Sequence, residues 1–314
     1  MSAESSAEPS GQPCGRFAPS PTGALHIGNL RTALLSWLHA RARGGRWIVR
    51  MEDLDRLTAS RGHEDDQLRS LAMLGMTWDG PVVRQSERFA LYREAIRLLQ
   101  MQRLVYPCFC TRREIREAAQ APHGASPDGA YPGTCRTLSD SDRQRLEREG
   151  RRPALRLRAD GASIEVHDLL AGVYRGAVDD VVLQRNDGIP AYNLAVVVDD
   201  AAQGVTDVVR GDDLLESTPR QILLQGLLGL PTPRYAHVPL VLAPDGSRLA
   251  KRHGAVTLAD LAQRGVDAPA VLARLGASLG LCEADDAITI ADLLVGFSLD
   301  AIPRRPWQLS AADL

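Results

Sequence analysis

The 314-residue sequence lacks several things whose absence narrows its role. No run approaches the ~18 consecutive apolar residues of a membrane span, so no membrane partner is expected. Neither sign of charge dominates: 37 Lys and Arg face 39 Asp and Glu, a formal net charge of −2. A global basic field for nucleic acid is therefore missing, and only a local basic face could make phosphate contacts. Residues 1–14, rich in Ser, Glu, Ala and Pro, have neither an apolar core nor a basic leader. They read as a disordered tail rather than a signal peptide. Cysteine is sparse and odd in number, five in all. Cys14 and Cys282 stand alone while Cys108, Cys110 and Cys135 cluster, which suits a cytoplasmic enzyme with one metal site better than a disulfide framework. No internal repeat is visible.

What is present is ordinary in bulk and specific in detail. An apolar content of 44% and a charged content of 24% are those of a globular chain, and the length suggests about two domains of ~150 residues. The organising stretch is Arg16-Phe17-Ala18-Pro19-Ser20-Pro21-Thr22-Gly23-Ala24-Leu25-His26-Ile27-Gly28-Asn29-Leu30-Arg31. It opens as a strand, turns through two prolines and a glycine, and enters a helix. Leu30, Ala33, Leu34, Trp37 and Leu38 recur on one helical face, and Gly44-Gly45 ends the helix. Trp47–Met51 then alternates into a second strand ending at Glu52-Asp53. Strand, helix and strand within ~40 residues make a βαβ unit and imply a parallel α/β sheet. The helix start would offer free backbone N–H groups to phosphate, with His26 at the mouth and Gly28 admitting a ligand close to the backbone. Glu52, at a strand's carboxyl end, either faces the ligand crevice and holds an amine or belongs to a helix cap at Asp53 or Asp55.

Helical patterns follow over 61–75 and 87–104. Tyr106-Pro107-Cys108-Phe109-Cys110-Thr111 then leads to a Pro/Gly/Ser-rich loop over 121–130 and to Tyr131-Pro132-Gly133-Thr134-Cys135. Residues from 106 to about 150 therefore read as an insertion between two halves of a sheet domain. Leu155–Arg158 and Ile164–Val166 alternate as exposed strands. Val181–Arg185, the turn Asn186-Asp187-Gly188 and Ala191–Val198 read as a hairpin whose second strand ends at Asp199 and Asp200. Ser217 is placed to cap a helix through Gly226, Val238–Leu242 forms another strand, and short helical patterns fill the remainder from Val256.

Three soft thiolates in one short insertion favour a zinc ion with a fourth ligand completing a tetrahedron, Tyr131 or His123 by position. No open coordination position is evident, so the ion would be structural.

A second run stands far downstream: Arg248-Leu249-Ala250-Lys251-Arg252. Together with His26-Ile27-Gly28-Asn29 it resembles the paired signatures of class I aminoacyl-tRNA synthetases, and Arg16–Gly23 looks like the glutamyl branch. The resemblance implies a Rossmann-type catalytic domain that binds ATP with Mg²⁺ through Pro19, Gly23, His26, Gly28, Asn29, Arg248, Leu249, Ala250, Lys251 and Arg252. His26 and Lys251 would be catalytic, stabilising charge on the phosphates during adenylate formation. Arg16, Glu52, Tyr192 and Arg210 match the glutamate-binding positions. From the pattern alone, Tyr192 is equally a core aromatic, and Arg210 equally a helix-capping partner of Asp212 or Asp213. Asn29 replaces the signature's last histidine, and Ala250 replaces the serine before the lysine.

The resemblance runs from Arg16 to about Thr257, and only 63 residues follow Lys251, too few for an anticodon-binding module of ~100 residues or more. With Cys108, Cys110, Tyr131 and Cys135 in this order, the chain resembles the glutamyl-queuosine tRNA(Asp) synthetases, which settles Tyr131 rather than His123 as the expected fourth zinc ligand. That resemblance implies activation of L-glutamate by ATP without tRNA, then transfer to queuosine at the wobble position of tRNA(Asp); separately, a monomer is expected. The expected boundaries are a tail over 1–14, the first half of the catalytic domain over 15–105 and an inserted zinc-containing subdomain over 106–175. The second half follows over 176–247, and the lysine loop with a helical C-terminal region over 248–314. Rival readings are a truncated glutamyl-tRNA synthetase, a small-molecule nucleotidyltransferase and a non-catalytic tRNA-binding paralogue.

Overall fold

β1 (Cys14–Phe17), α1 (Ile27–Ala42) and β2 (Arg46–Met51) form the expected βαβ unit, with β1 and β2 parallel and Cys14 opposite Arg46. The computed structural model describes residues 11–111, 113–115, 131–247, 249 and 257–310. Residues 1–10, His123, Arg248, Ala250, Lys251 and Arg252 lie outside the described residues. Cys14, expected in the tail, instead opens β1 and is fully buried.

The remaining strands are β3 (Val83–Arg84), β4 (Val105–Cys108), β5 (Ala154–Leu157), β6 (Ser163–Asp168), β7 (Gly172–Ala177), β8 (Val182–Gln184), β9 (Asp207–Gly211), β10 (Arg234–Val238), β11 (Val241–Leu242) and β12 (Trp307–Gln308). The main sheet has the order β3-β2-β1-β9-β10-β6-β7, parallel throughout except for the β6–β7 hairpin. From β1 the chain builds one way through β2 and β3 and the other way through β9 and β10. The order thus reverses between β1 and β9, and the carboxyl ends of strands at such a switch point form a crevice. A separate antiparallel sheet, β4-β5-β8, carries the cysteine-rich segment. β6 and the first part of β7 fall in the 106–175 stretch, and this hairpin joins the main sheet through β10. Arg156 and Leu157, expected on an exposed strand, are buried.

The helices after α1 are α2 (Arg61–Met73), α3 (Phe89–Met101), α4 (Asp140–Arg148), α5 (Tyr192–Ala202), α6 (Thr218–Leu228), α7 (Leu258–Gln263), α8 (Ala268–Ser278) and α9 (Ile290–Leu294). One core packs α1 between the sheet and the C-terminal helices, joining Leu34, Trp47, Val238, Leu275 and Leu293. A second packs α3, α5 and α6, with Tyr92, Leu99, Val197 and Leu224. Among the described residues no helix is long and apolar enough to cross a membrane.

The expected hairpin does not form. Val182–Gln184 is a strand, but its partner over 191–198 is the helix α5. Leu194 through Asp200 are all buried in it, so its apolar run has no polar face to reveal a helical period. A short continuous apolar run fits a buried helix as well as a strand, and here tertiary packing against α3 and α6 decides. Ser217 sits at the head of α6 without capping it; its hydroxyl donates to the Leu214 carbonyl instead.

Candidate active site

The carboxyl ends of β1, β2 and β9 enclose a cavity of about 770 Å³, and Arg16, Pro19, Gly23, His26, Gly28, Asn29, Glu52, Tyr192, Arg210 and Leu249 all line it. Every described residue of the expected nucleotide and amino-acid sites therefore meets at the switch point. Tyr192 is the first residue of α5, half-exposed at the cavity rather than packed in the core.

At the mouth, His26 is the N-cap of α1. Its Nδ1 accepts from the backbone N–H of Gly28 (3.1 Å) and Asn29 (3.3 Å), and the Asn29 side chain accepts from the His26 N–H at 3.2 Å. This reciprocal capping box explains Asn29: its amide oxygen reaches back to the cap. It also corrects one expectation. The Gly28 and Asn29 N–H groups are not free for phosphate, because the ring takes them. Since Nδ1 accepts, Nε2 carries the ring proton in the neutral tautomer, and His26 presents a donor there. Gly28 serves the same cap, since a Cβ on it would sit 3.0 Å from the imidazole.

Lys251 is the single lysine of the chain. Of the described residues on its two sides, one lines this cavity and the other pairs with a residue that does. Leu249 lines it, and Thr257 forms an isolated antiparallel bridge with His26. The expected Asp245-Gly246-Ser247 loop is a hydrogen-bonded turn in which Gly246 takes φ +76°.

Behind Arg16 and Glu52 the wall of the cavity is charged and buried. Asp200 Oδ1 accepts from Arg50 Nη1 at 2.7 Å and lies 3.6 Å from Arg16 Nε. Arg50 Nη2 is 3.5 Å from Glu52. Asp199 accepts from Gln85 (3.1 Å), Arg88 (2.6 Å) and Tyr92 (2.7 Å). Arg16, Arg50 and Arg88 thus face Glu52, Asp199 and Asp200, a balanced set of opposite charges. Burial pushes the Glu52 carboxyl above its ordinary value, against the pull of Arg50 and Arg16. Burial likewise lowers Arg16, and Asp200 opposes that shift.

Arg210 stands outside this balance. It is only 4% exposed, yet its partners are all neutral: His237 Nε2 (3.0 Å), Gln221 Oε1 (2.8 Å), Thr218 Oγ1 (2.8 Å) and the Leu214 carbonyl (3.5 Å). Among the described residues no carboxylate lies in ion-pair range of it, Asp212 and Asp213 included. A buried cation with no counter-ion among the described residues is costly unless an anion comes to it, and Arg210 lines the cavity. Arg50, Asp199, Asp200 and His237 lie behind the lining residues, and in the sequence only the adjacent acids that follow an apolar run hint at them.

The cysteine cluster forms as expected. The Sγ atoms of Cys108, Cys110 and Cys135 lie within 4.8 Å of one another. The Tyr131 hydroxyl is 3.3 Å from Cys108 Sγ and 3.7 Å from Cys110 Sγ. Burial pushes the Cys110 thiol up to about 12. Burial also opposes ionisation of Cys135, yet the Phe109 N–H and its neighbours hold that thiol below its ordinary value. Three soft donors and one phenol oxygen converging on one point fit a tetrahedral metal ion.

A second cavity of about 1120 Å³ adjoins the first. It shares Ser20, Glu52 and Tyr192 with it, passes Cys108 and Cys110, and carries Arg151, Arg152, Arg156 and Arg185 on its walls.

The fold and this site define a class I synthetase catalytic domain. Residues 14–293 match the family described as tRNA synthetases class I (E and Q), catalytic domain. A glutamyl-Q tRNA(Asp) synthetase of Nocardia farcinica is 60% identical over 296 residues, which cover 94% of this chain and 93% of that protein. A second, from Symbiobacterium thermophilum, is 50% identical, covering 96% and 97%. The crystal structure of a glutamate tRNA ligase from Elizabethkingia meningosepticum in complex with its amino acid superposes with a TM-score of 0.82 at 27% identity, over 96% of this chain and 68% of that one. The chain belongs to the class I synthetases of the glutamate and glutamine branch and, within it, to the glutamyl-Q tRNA(Asp) synthetases.

Proposed function

We propose that this chain activates L-glutamate with ATP in the absence of tRNA and transfers it to queuosine at the wobble position of tRNA(Asp). The observation that carries the reading is Arg210, a buried cation with only neutral partners among the described residues, facing the cavity that holds Arg16, Glu52, Tyr192 and His26. Arg16, Arg50 and Arg88 are already matched by Glu52, Asp199 and Asp200, so Arg210 is the cation that favours an anionic substrate side chain. Glutamate has such a side chain; glutamine does not.

In this reading Arg16 and Arg210 hold carboxylate, Glu52 receives the ammonium group, and the Tyr192 hydroxyl closes the side of the pocket. The glutamate α-carboxylate attacks the α-phosphorus of ATP, the bond to pyrophosphate breaks, and glutamyl-adenylate results. The His26 Nε2–H donates to an α-phosphate oxygen, and Lys251 neutralises charge on the departing pyrophosphate. Mg²⁺ enters with ATP. A queuosine hydroxyl then attacks the activated carbonyl and AMP leaves. The second cavity supports this step: it opens beside Glu52 and Tyr192, and its arginines suit the phosphates of an anticodon loop. The Cys108, Cys110, Tyr131 and Cys135 set would hold a structural zinc ion that fixes the wall of that cavity.

The second reading, charging of tRNA(Glu) at its 3′ end, is favoured by the likeness to a glutamate tRNA ligase. Labelled glutamate offered with tRNA(Asp) carrying queuosine, tRNA(Asp) lacking it, and tRNA(Glu) separates the two. Label on the first alone is expected; label on tRNA(Glu) alone would replace this reading with the second.

A further inference from the structure

Arg210 needs an orienting acceptor that does not cancel its charge, and the structure supplies one in two stages. Asp168, at the end of β6, accepts from the backbone N–H groups of Leu170 (2.9 Å), Ala171 (2.8 Å) and His237 (3.1 Å). Its other oxygen lies 2.6 Å from His237 Nδ1. Hydrogen bonds from these donors hold the Asp168 carboxyl below its ordinary value against burial, so it is an acceptor only. His237 Nδ1 must therefore carry a ring proton. Because burial holds the imidazole below its ordinary value, the ring is neutral and Nε2 is bare, with the Thr218 hydroxyl also 3.1 Å from it. That bare nitrogen is what Arg210 Nε donates to at 3.0 Å. Both members of the pair are buried, and Tyr235 stacks on the imidazole with centroids 6.0 Å apart.

We propose that Asp168 and His237 are positioning residues for amino-acid recognition. The carboxylate locks the imidazole tautomer, and the locked imidazole aims the Arg210 guanidinium at the cavity without neutralising it. A carboxylate in direct contact with Arg210 would orient it equally well but would compete with the substrate anion. Placing the negative charge one ring away keeps the orientation and leaves the positive charge available. Gln221 completes the device: its amide nitrogen donates to Asn193 Oδ1 at 3.1 Å, which turns its oxygen toward Arg210. The inference rests on the reading of Arg210 as a holder of a glutamate carboxylate.

Three variants separate this role from simple packing, each read by glutamate-dependent ATP–pyrophosphate exchange with KM measured for glutamate and for ATP. His237→Asn keeps an N–H toward Asp168 but offers nothing to Arg210. His237→Gln reverses this, placing an amide oxygen where Nε2 was. Asp168→Asn presents an N–H to Nδ1 and flips the tautomer, so that a ring N–H meets the Arg210 N–H, as with the wrong tautomer of a triad histidine. The expected result is that His237→Asn and Asp168→Asn raise the glutamate KM by about tenfold or more while the ATP KM stays within about twofold, and that His237→Gln recovers most of the loss. An unchanged glutamate KM in His237→Asn, or glutamate and ATP KM values that rise together, would overturn the inference and leave the reading of the site standing. Failure of the unaltered chain to show any glutamate-dependent exchange would remove both.

Discussion

One oxygen of Asp200 accepts a 2.7 Å hydrogen bond from Arg50 and lies 3.6 Å from Arg16. A single buried carboxylate therefore serves two buried cations, one of them, Arg16, on the cavity wall. Gln203 Oε1 takes a further Arg50 proton at 2.9 Å. Removing the carboxylate charge while keeping its shape leaves Arg50 partly uncompensated. Asp200→Asn should lower stability by about 3 kcal/mol, within the range for breaking a buried pair. Urea unfolding is the check, and a change under about 1 kcal/mol would mean that Glu52 and Asp199 suffice to hold Arg50.

The parallel sheet and the site helix were legible because their signals are local. The prolines, His26 and the period of Leu30, Ala33, Leu34 and Trp37 mark a strand–turn–helix within one short stretch. α5 was not legible, because Leu194–Val198 is apolar without interruption and only packing against α3 and α6 distinguishes helix from strand. The charged residues behind the site were hidden for a related reason. Arg50 and Asp200 are far apart in the chain, and neither carries a pattern until the fold joins β2 to α5. The occupation of the Gly28 and Asn29 N–H groups by His26 also depends on a side-chain rotamer, which residue order does not reveal.

Gly28 is confined by the ring it sits beside. A Cβ at this position would meet His26 Nδ1 and Cε1 at 3.0 Å and Val241 Cβ at 3.4 Å. The imidazole would have to shift by a few tenths of an ångström, weakening the cap and moving the Nε2 donor. Gly28→Ala should reduce the exchange rate about tenfold while the melting temperature changes little. Equal rates in variant and parent would show that the placement of the ring does not matter to the reaction.

Glu52 gives the site a pH dependence with a definite sign. Its buried carboxyl is raised above the ordinary glutamate value, so the folded chain binds more protons than the unfolded one between the ordinary value and the raised one. Stability contributed by Glu52 therefore falls as pH rises through that window, while the ionised form needed for an ammonium ligand appears only above it. The glutamate kcat/KM should show an acid limb above the ordinary carboxylate value of ~4.3. Glu52→Gln should abolish that limb and weaken glutamate binding above it, the parent and variant converging on the acid side where Glu52 is protonated. A profile unchanged in the variant would detach Glu52 from the substrate.

The metal cluster is testable by composition. Cys108, Cys110 and Cys135 are within 4.8 Å of one another, and zinc measured by mass spectrometry should come to one equivalent per chain. Cys110→Ser and Cys135→Ser should each lose most of it, and thermal unfolding should lose the corresponding binding energy, several kcal/mol or more. Because the site sits on the wall of the second cavity, transfer to tRNA should suffer more than tRNA-independent exchange. Full zinc content in both variants would place the ion elsewhere.

The central claim is that this cavity makes glutamyl-adenylate unaided. The measurement that tests it most directly is glutamate-dependent ATP–pyrophosphate exchange without any tRNA, run on the unaltered chain and on Lys251→Ala, which removes the only lysine. Exchange with glutamate and not with glutamine, reduced by about a hundredfold or more in the variant with the fold and zinc content intact, is the predicted result. Exchange that requires tRNA(Glu), or that proceeds equally well in Lys251→Ala, would contradict it.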